Sequence, residues 1–307
     1  IYYMNKKVIL LIKILFLFFL IFYFRKFIKT EEFLNAFKMI EVKDMALILF
    51  LYFTFFILVT LRWMTVVSNF VKLNFFYLFK NIILGYNIAI FTSTLAVDAT
   101  KFYGLSKKIE SSKNISLVIY DKLFTLFFKI IFLFIIFNYL NFTKLEIYEN
   151  TFFLISSAIA ISLIFFSIRI NFFLKYLLRF KFFSFLKNIE KKIKINKNKI
   201  KKLIFLNLVI QFQFILMYFV VIKIFIKNIS FIEVSLITPL IEIVGILQIL
   251  FIGIIEFSTV MFYSILNFSN ENILAATLTL RFNELLITVP VYLFSIYKYK
   301  SDKNRQL

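Results

Sequence analysis

Long apolar runs broken by short charged segments dominate this chain, and the runs have the length of membrane-crossing helices. Mostly apolar stretches cover 8–24, 45–61, 123–140, 151–168, 203–226 and 273–297. Each is close to the ~20 residues that an α-helix needs to cross a hydrocarbon core. Two further stretches are apolar but interrupted: 81–100 holds Gly85 and Asp98, and 231–268 holds Pro239, Glu242, Gly245, Gly253 and Glu256. None alternates apolar and polar residues as a barrel strand does. The pattern predicts an all-α, polytopic membrane helix bundle of about 6–8 spans.

Basic residues in the connecting loops set the orientation. Residues 169–202 carry 12 Lys and Arg against one acid, Glu190, and are expected to be cytoplasmic. The N-terminus, the five-lysine segment 101–122 and the basic tail 298–307 are read as cytoplasmic too. Residues 141–150, with Lys144 against Glu146 and Glu149, suit the outside; 25–44 should also be outside, although it holds five basic residues beside four acids. Under this topology the chain enters and leaves 81–100 from inside, and enters and leaves 231–268 from outside. Each interrupted stretch is then a re-entrant hairpin or a pair of short helices, meeting as in an inverted repeat. One integral membrane domain, 1–307, is expected, with halves 1–168 and 203–297 joined by the basic loop 169–202. The first run, 8–24, is followed by Phe24, Arg25 and Lys26 rather than by a small-residue cleavage site, and reads as an uncleaved anchor. Translation may start at Ile1 or at Met4.

Composition narrows the chemistry. The chain is 62% hydrophobic with a mean hydropathy of +0.91, against about 45–50% apolar in soluble domains. Cys and His are both absent, so no disulfide, thiol nucleophile, imidazole base or ordinary zinc or haem site is expected, and no cofactor. The net charge of +21 sits mainly in the basic loop and at helix ends. It is read as cytoplasmic retention and contact with anionic lipid headgroups, not as a nucleic-acid surface, because the aromatic residues lie in the apolar spans.

Ionisable groups inside spans cost roughly 2.5–3.5 kcal/mol each, so each one calls for a reason. Lys13, Lys129 and Lys223 have long stems that reach an interface or a neighbour, and Glu233 lies near an outer boundary. Asp98 with Lys101 one turn later, Asp121 with Lys122, Glu256 after Gly253, and Arg281 with Glu284 one turn below stand apart. They read either as ion pairs locking helices together or as the lining of a hydrophilic groove for a lipid headgroup. Asp98, Lys101, Asp121, Lys122, Glu256 and Arg281 are the groove candidates, with Glu242 and Glu284 secondary; no metal site is expected. Glu256 and Arg281 are expected to pair, with Glu284 as the competing partner.

The stretches LGYNIAIFTSTLAVDATKFYGLSKK and SLVIYDKLFTLFF, then SLITPLIEIVGILQILFIGIIEFSTVMFY and LTLRFNELLITVP, resemble the lysylphosphatidylglycerol synthase transmembrane region, also called the flippase-like integral membrane protein family. The resemblance spans roughly 10–297 and rests on Asp98, Lys101, Ser116, Asp121, Lys122, Pro239, Gly253, Glu256, Arg281 and Pro290. The chain departs from the family's Pro/Gly pattern at Thr92, Ser93, Ala96 and Val97, and at Leu247 to Phe251. The resemblance implies a cytoplasmic-membrane protein that translocates or handles a modified phospholipid or glycolipid. It also implies membrane lipids as partners, and a separate lipid-modifying synthase or glycosyltransferase. The sequence ends at Leu307 after a short polar tail, so lysyl transfer by this polypeptide alone is not expected, and an enzyme is not the leading reading. The alternatives are a polyprenyl-phosphate-dependent glycosyltransferase, using Glu31, Glu32, Glu41 or Asp44, and a membrane scaffold without transport.

Overall fold

The computed structural model describes residues 28–144, 197–245 and 253–304, with Phe18, Phe22, Arg25 and Lys26 before them. The expected span 151–168 lies outside the described residues, as do nearly all of 8–24, most of 141–150 and the loop 169–202 up to its last six residues. Every element among the described residues is helical. In chain order these are α1 (Thr30–Phe37), α2 (Val42–Val67), α3 (Phe75–Phe91), α4 (Leu95–Leu105), α5 (Ser111–Lys144), α6 (Lys197–Phe225), α7 (Phe231–Val244), α8 (Ile254–Ser264) and α9 (Asn270–Asn304). Among the described residues, three stretches are long and apolar enough to cross a membrane: Val42–Val67, Asn198–Phe225 and Asn270–Ser295. The chain is therefore an all-helical, multi-pass membrane bundle.

Local chemistry fixes several helix starts. Asn74 caps α3 by accepting from the Phe76 N–H at 2.9 Å. At α7 the Ser230 hydroxyl accepts from the Glu233 N–H at 3.2 Å while Glu233 accepts from the Ser230 N–H at 2.8 Å, a reciprocal capping box. Glu41 and Asp44 form the same device at α2. Glu233, expected near an outer boundary, is thus a cap. Within α2, Ile48, Tyr52, Phe55, Phe56, Val59 and Trp63 recur at helical spacing and are all buried, giving the helix one core-facing stripe.

The stretch 81–100 is interrupted at Thr92–Thr94 rather than at Gly85, which is internal to α3. Thr92 leaves the helical region (φ −127, ψ −82), and the Ser93 hydroxyl accepts from the Leu95 N–H at 3.2 Å to start α4. The two helices fold back on each other. The Tyr77 hydroxyl, early in α3, donates to the Gly104 carbonyl, late in α4, at 2.6 Å, and Gly85 faces Val97 and Thr100. The stretch 231–268 likewise divides into α7 and α8, which pack together. The four hairpin helices, of 11 to 17 residues, are about 17–26 Å long, short of the ~30 Å hydrocarbon core.

Each hairpin sits between two long helices: α2, then α3–α4, then α5; and α6, then α7–α8, then α9. Equivalent helices of the two halves run in opposite directions. Contacts pair Ser68 with Lys199 (2.8 Å), Arg62 with Asn207 (3.2 Å) and Thr54 with Gln213 (2.9 Å), so α2 and α6 are antiparallel. The start of α9 meets the end of α6 through Asn272 Nδ2 to the Phe225 carbonyl (3.3 Å), whereas α5 begins near the end of α2. One hairpin therefore enters from the face where α2 ends and the other from the face where α6 ends. The packing is reciprocal: α3 lies on α9 and α7 lies on α5. That exchange is what a two-fold axis in the membrane plane requires of an inverted repeat.

Candidate functional site

The second helix of each hairpin carries an acid in its first turn, Asp98 in α4 and Glu256 in α8. Each acid is held by a base on the long helix that follows. Lys122 Nζ lies 2.9 Å from Asp98, 24 positions on (122 − 98), and Arg281 Nε lies 2.9 Å from Glu256, 25 positions on. Seven residues further along each long helix (122 to 129 and 281 to 288), a polar side chain reaches the first helix of the other half's hairpin. Lys129 pairs with Glu242 of α7 at 2.8 Å. Asn87 Nδ2 of α3 donates to the Thr288 hydroxyl at 3.1 Å. The two-fold relationship thus extends from the backbone to the polar side chains.

The clusters around these pairs differ. In the first half, Asp121 is a hub 2% exposed. It accepts from Arg62 Nη2 at 3.2 Å and from Lys101 Nζ at 2.7 Å, with Arg62 Nε 3.1 Å from its other oxygen. Lys101 also lies 3.7 Å from Asp98. The result is an alternating row Arg62, Asp121, Lys101, Asp98, Lys122. Asn207 accepts from Arg62 Nη1 at 3.2 Å, and Lys101 Nζ sits 5.4 Å from the centre of the Trp63 ring. In the second half the row is shorter: Glu256, Arg281, Glu284, with Arg281 Nη1 to Glu284 at 3.1 Å.

Every member of both rows except Glu256, which bonds the lining Arg281, faces one cavity of about 170 Å³ between the hairpins and the long helices. The Lys129–Glu242 pair lines it as well, with Gln211 Nε2 donating to Glu242 at 2.9 Å. Tyr52, Phe55, Phe214 and Tyr218 supply an aromatic wall. Arg281 Nη2 and the Thr94 hydroxyl are buried and have no hydrogen-bond partner among the described residues. Buried charged groups are costly unless paired, so the rows explain how these charges persist at depth. The two free donors leave the site able to accept oxygen atoms from a guest.

Of the residues singled out from sequence, Asp98, Lys101, Asp121 and Lys122 form one connected group, Glu256, Arg281 and Glu284 a second, and Glu242 joins Lys129 in a third. Arg281 bonds both Glu256 and Glu284, so the two expected partners coexist. Lys129, read as a stem reaching a neighbour, holds Glu242 across the two-fold. Lys223 lies near the end of α6, its Nζ 4.9 Å from the centre of the Phe219 ring. Lys13 lies outside the described residues. The sequence reading missed Arg62, one position past the end of the run 45–61. Its signal was rarity, since the chain has six Arg against 31 Lys. Among the described residues no group of His, Cys, Asp or Glu is arranged to hold a metal ion.

The family described as the lysylphosphatidylglycerol synthase TM region matches residues 10–291. No curated protein and no solved structure matches the chain.

Proposed function

Since the chain belongs to the lysylphosphatidylglycerol synthase transmembrane-region family, we propose that it is a flippase-like protein of the cell membrane that takes a modified phospholipid or glycolipid headgroup into the cavity between its hairpins. The carrying observation is that nine charged groups line one cavity, with a tenth, Glu256, paired to the lining Arg281, between hairpins that enter from opposite faces. Broken helices meeting at depth and lining a polar space are the architecture of alternating-access transporters. The headgroup occupies the polar cavity while its acyl chains stay in lipid, and the two hairpins gate it from opposite leaflets. The basic face binds anionic headgroups and is cytoplasmic, and a separate synthase supplies the modified lipid.

Transfer of a fluorescent phospholipid between leaflets of reconstituted liposomes, read with an impermeant quencher, tests this. The protein should speed transfer over protein-free liposomes, and Arg281→Gln should slow it about tenfold, a loss of ~1.4 kcal/mol in barrier lowering. Equal rates with and without protein, for anionic, zwitterionic and cationic headgroups alike, would overturn it.

A further inference from the structure

The two charge rows at the cavity have odd lengths, and their excess charges are opposite. Arg62, Asp121, Lys101, Asp98 and Lys122 sum to +1, while Glu256, Arg281 and Glu284 sum to −1. Lys129 with Glu242 adds nothing. Five cations and four carboxylates line the cavity, and the fifth carboxylate, Glu256, is bonded to the lining Arg281, so the group as a whole is neutral but polarised. The positive excess surfaces at Lys122, because the other end of that row, Arg62, has a side chain only 6% exposed and is capped by Asn207, whereas Lys122 is 33% exposed. At the negative end Glu256 Oε1 is taken by Arg281 Nε, and Glu284 lines the cavity beside Tyr52 and Tyr218.

Resting on the lipid-handling reading above, we infer that this cavity selects a headgroup whose own charges sum to zero, with its anionic group toward Lys122 and its cationic group toward Glu284. A guest with a net charge would leave that charge uncompensated inside the membrane, where it is disfavoured. A zwitterion aligned against the cavity's polarity pairs at both ends and adds no net charge. The aromatic rings beside Glu284 offer π faces to its cation. The free donors Arg281 Nη2 and Thr94 Oγ1 meet its ester or hydroxyl oxygens. By this rule a headgroup with one phosphate and one ammonium is favoured over phosphatidylglycerol, at −1, and over lysylphosphatidylglycerol, at +1.

The chain carries its own reporter, a single Trp. Trp63 is 1% exposed and adjoins Lys101. The full chain in detergent is titrated with short-chain phosphatidylethanolamine, phosphatidylglycerol and lysylphosphatidylglycerol, and with soluble glycerophosphoethanolamine, following Trp63 fluorescence. Phosphatidylethanolamine should bind roughly tenfold tighter than either charged lipid. Glu284→Gln, which makes the cavity +1, should shift the preference to phosphatidylglycerol. Lys122→Gln, which makes it −1, should shift it to lysylphosphatidylglycerol. The same ranking in all three proteins, phosphatidylglycerol binding tightest to the unaltered chain, or no saturable response to any of the four, overturns the inference. Glycerophosphoethanolamine, a neutral phosphodiester zwitterion, binding as tightly as the lipid would leave the charge rule standing and overturn the lipid-handling reading instead.

Discussion

Asp121 satisfies two buried cations at once, and it is the residue on which the first charge row depends. Its carboxylate faces Arg62 and Lys101, whose side chains are 6% and 4% exposed. Neutralising it strands both, and breaking a buried pair from one side typically costs about 3–5 kcal/mol. Asp98 is different, because its partner Lys122 is 33% exposed and has a long stem that can carry its charge outward. Asp121→Asn is therefore expected to lower unfolding stability in detergent several times more than Asp98→Asn, and Arg62→Met added to Asp121→Asn should restore part of the loss. Equal losses from the two single changes, or strict additivity in the double, would contradict the hub. The sequence made Asp121 visible as a charge opening an apolar run, but its partners lie 59 and 20 positions away. Nothing local in the sequence couples those positions. Arg62 shows the limit of reading spans by their edges: a hydropathy boundary placed at residue 61 made a buried cation look like a loop residue.

Close backbone approach shapes the first hairpin. A Cβ at Gly85 would stand 2.3 Å from Thr100 Oγ1 and 2.7 Å from Val97 Cα, and the second of these is backbone that cannot swing aside. At Gly245 the nearest atom is the tip of Ile255, 3.3 Å away, which can yield. Gly85→Ala should accordingly splay α3 from α4 and cost roughly 1–3 kcal/mol, as overpacking does, while Gly245→Ala stays near neutral; chemical denaturation in detergent compares them. A different constraint holds Gly253, whose φ of 81 would cost a side chain roughly 1–2 kcal/mol. These glycines explain why both interrupted stretches are legible as interrupted, but they do not mark the position of the break in the first. Gly85 is a packing residue, and the turn is made by Thr92, Ser93 and Thr94, where the Thr92 and Ser93 hydroxyls bond the local backbone in competition with the helix. Sequence distinguishes poorly between a glycine that lets a helix end and one that lets another helix come close.

At the scale of the molecule, the two-fold relationship makes orientation a question that two cysteines can answer. The face where α2 ends and α5 and α6 begin gathers Lys72, Lys107, Lys108, Lys113, Lys199, Lys201 and Lys202 against Glu110. The opposite face, with α1 and the starts of α2, α7 and α9, carries Lys29, Lys38, Lys43 and Lys227, with Arg25 and Lys26 just before α1, against Glu31, Glu32, Glu41, Asp44, Glu233 and Glu271. Residues 25–44 hold five basic residues against four acids, an excess of only one, and folding reduces its force. Lys29 pairs with Glu32 at 2.8 Å and Lys43 with Glu41 at 2.7 Å. Retention in the cytoplasm follows Lys and Arg near the membrane, so the first face is expected to lie inside. The native chain has no Cys, so single cysteines report without background. Lys107→Cys, between α4 and α5, should react with an impermeant maleimide only after permeabilisation, and Lys227→Cys, between α6 and α7, in intact cells. Both positions are exposed. If the two accessibilities are exchanged, the repeat survives and the orientation is reversed. If both react from the same side, the hairpins do not enter from opposite faces, and the inverted repeat and the cavity reading built on it fall together.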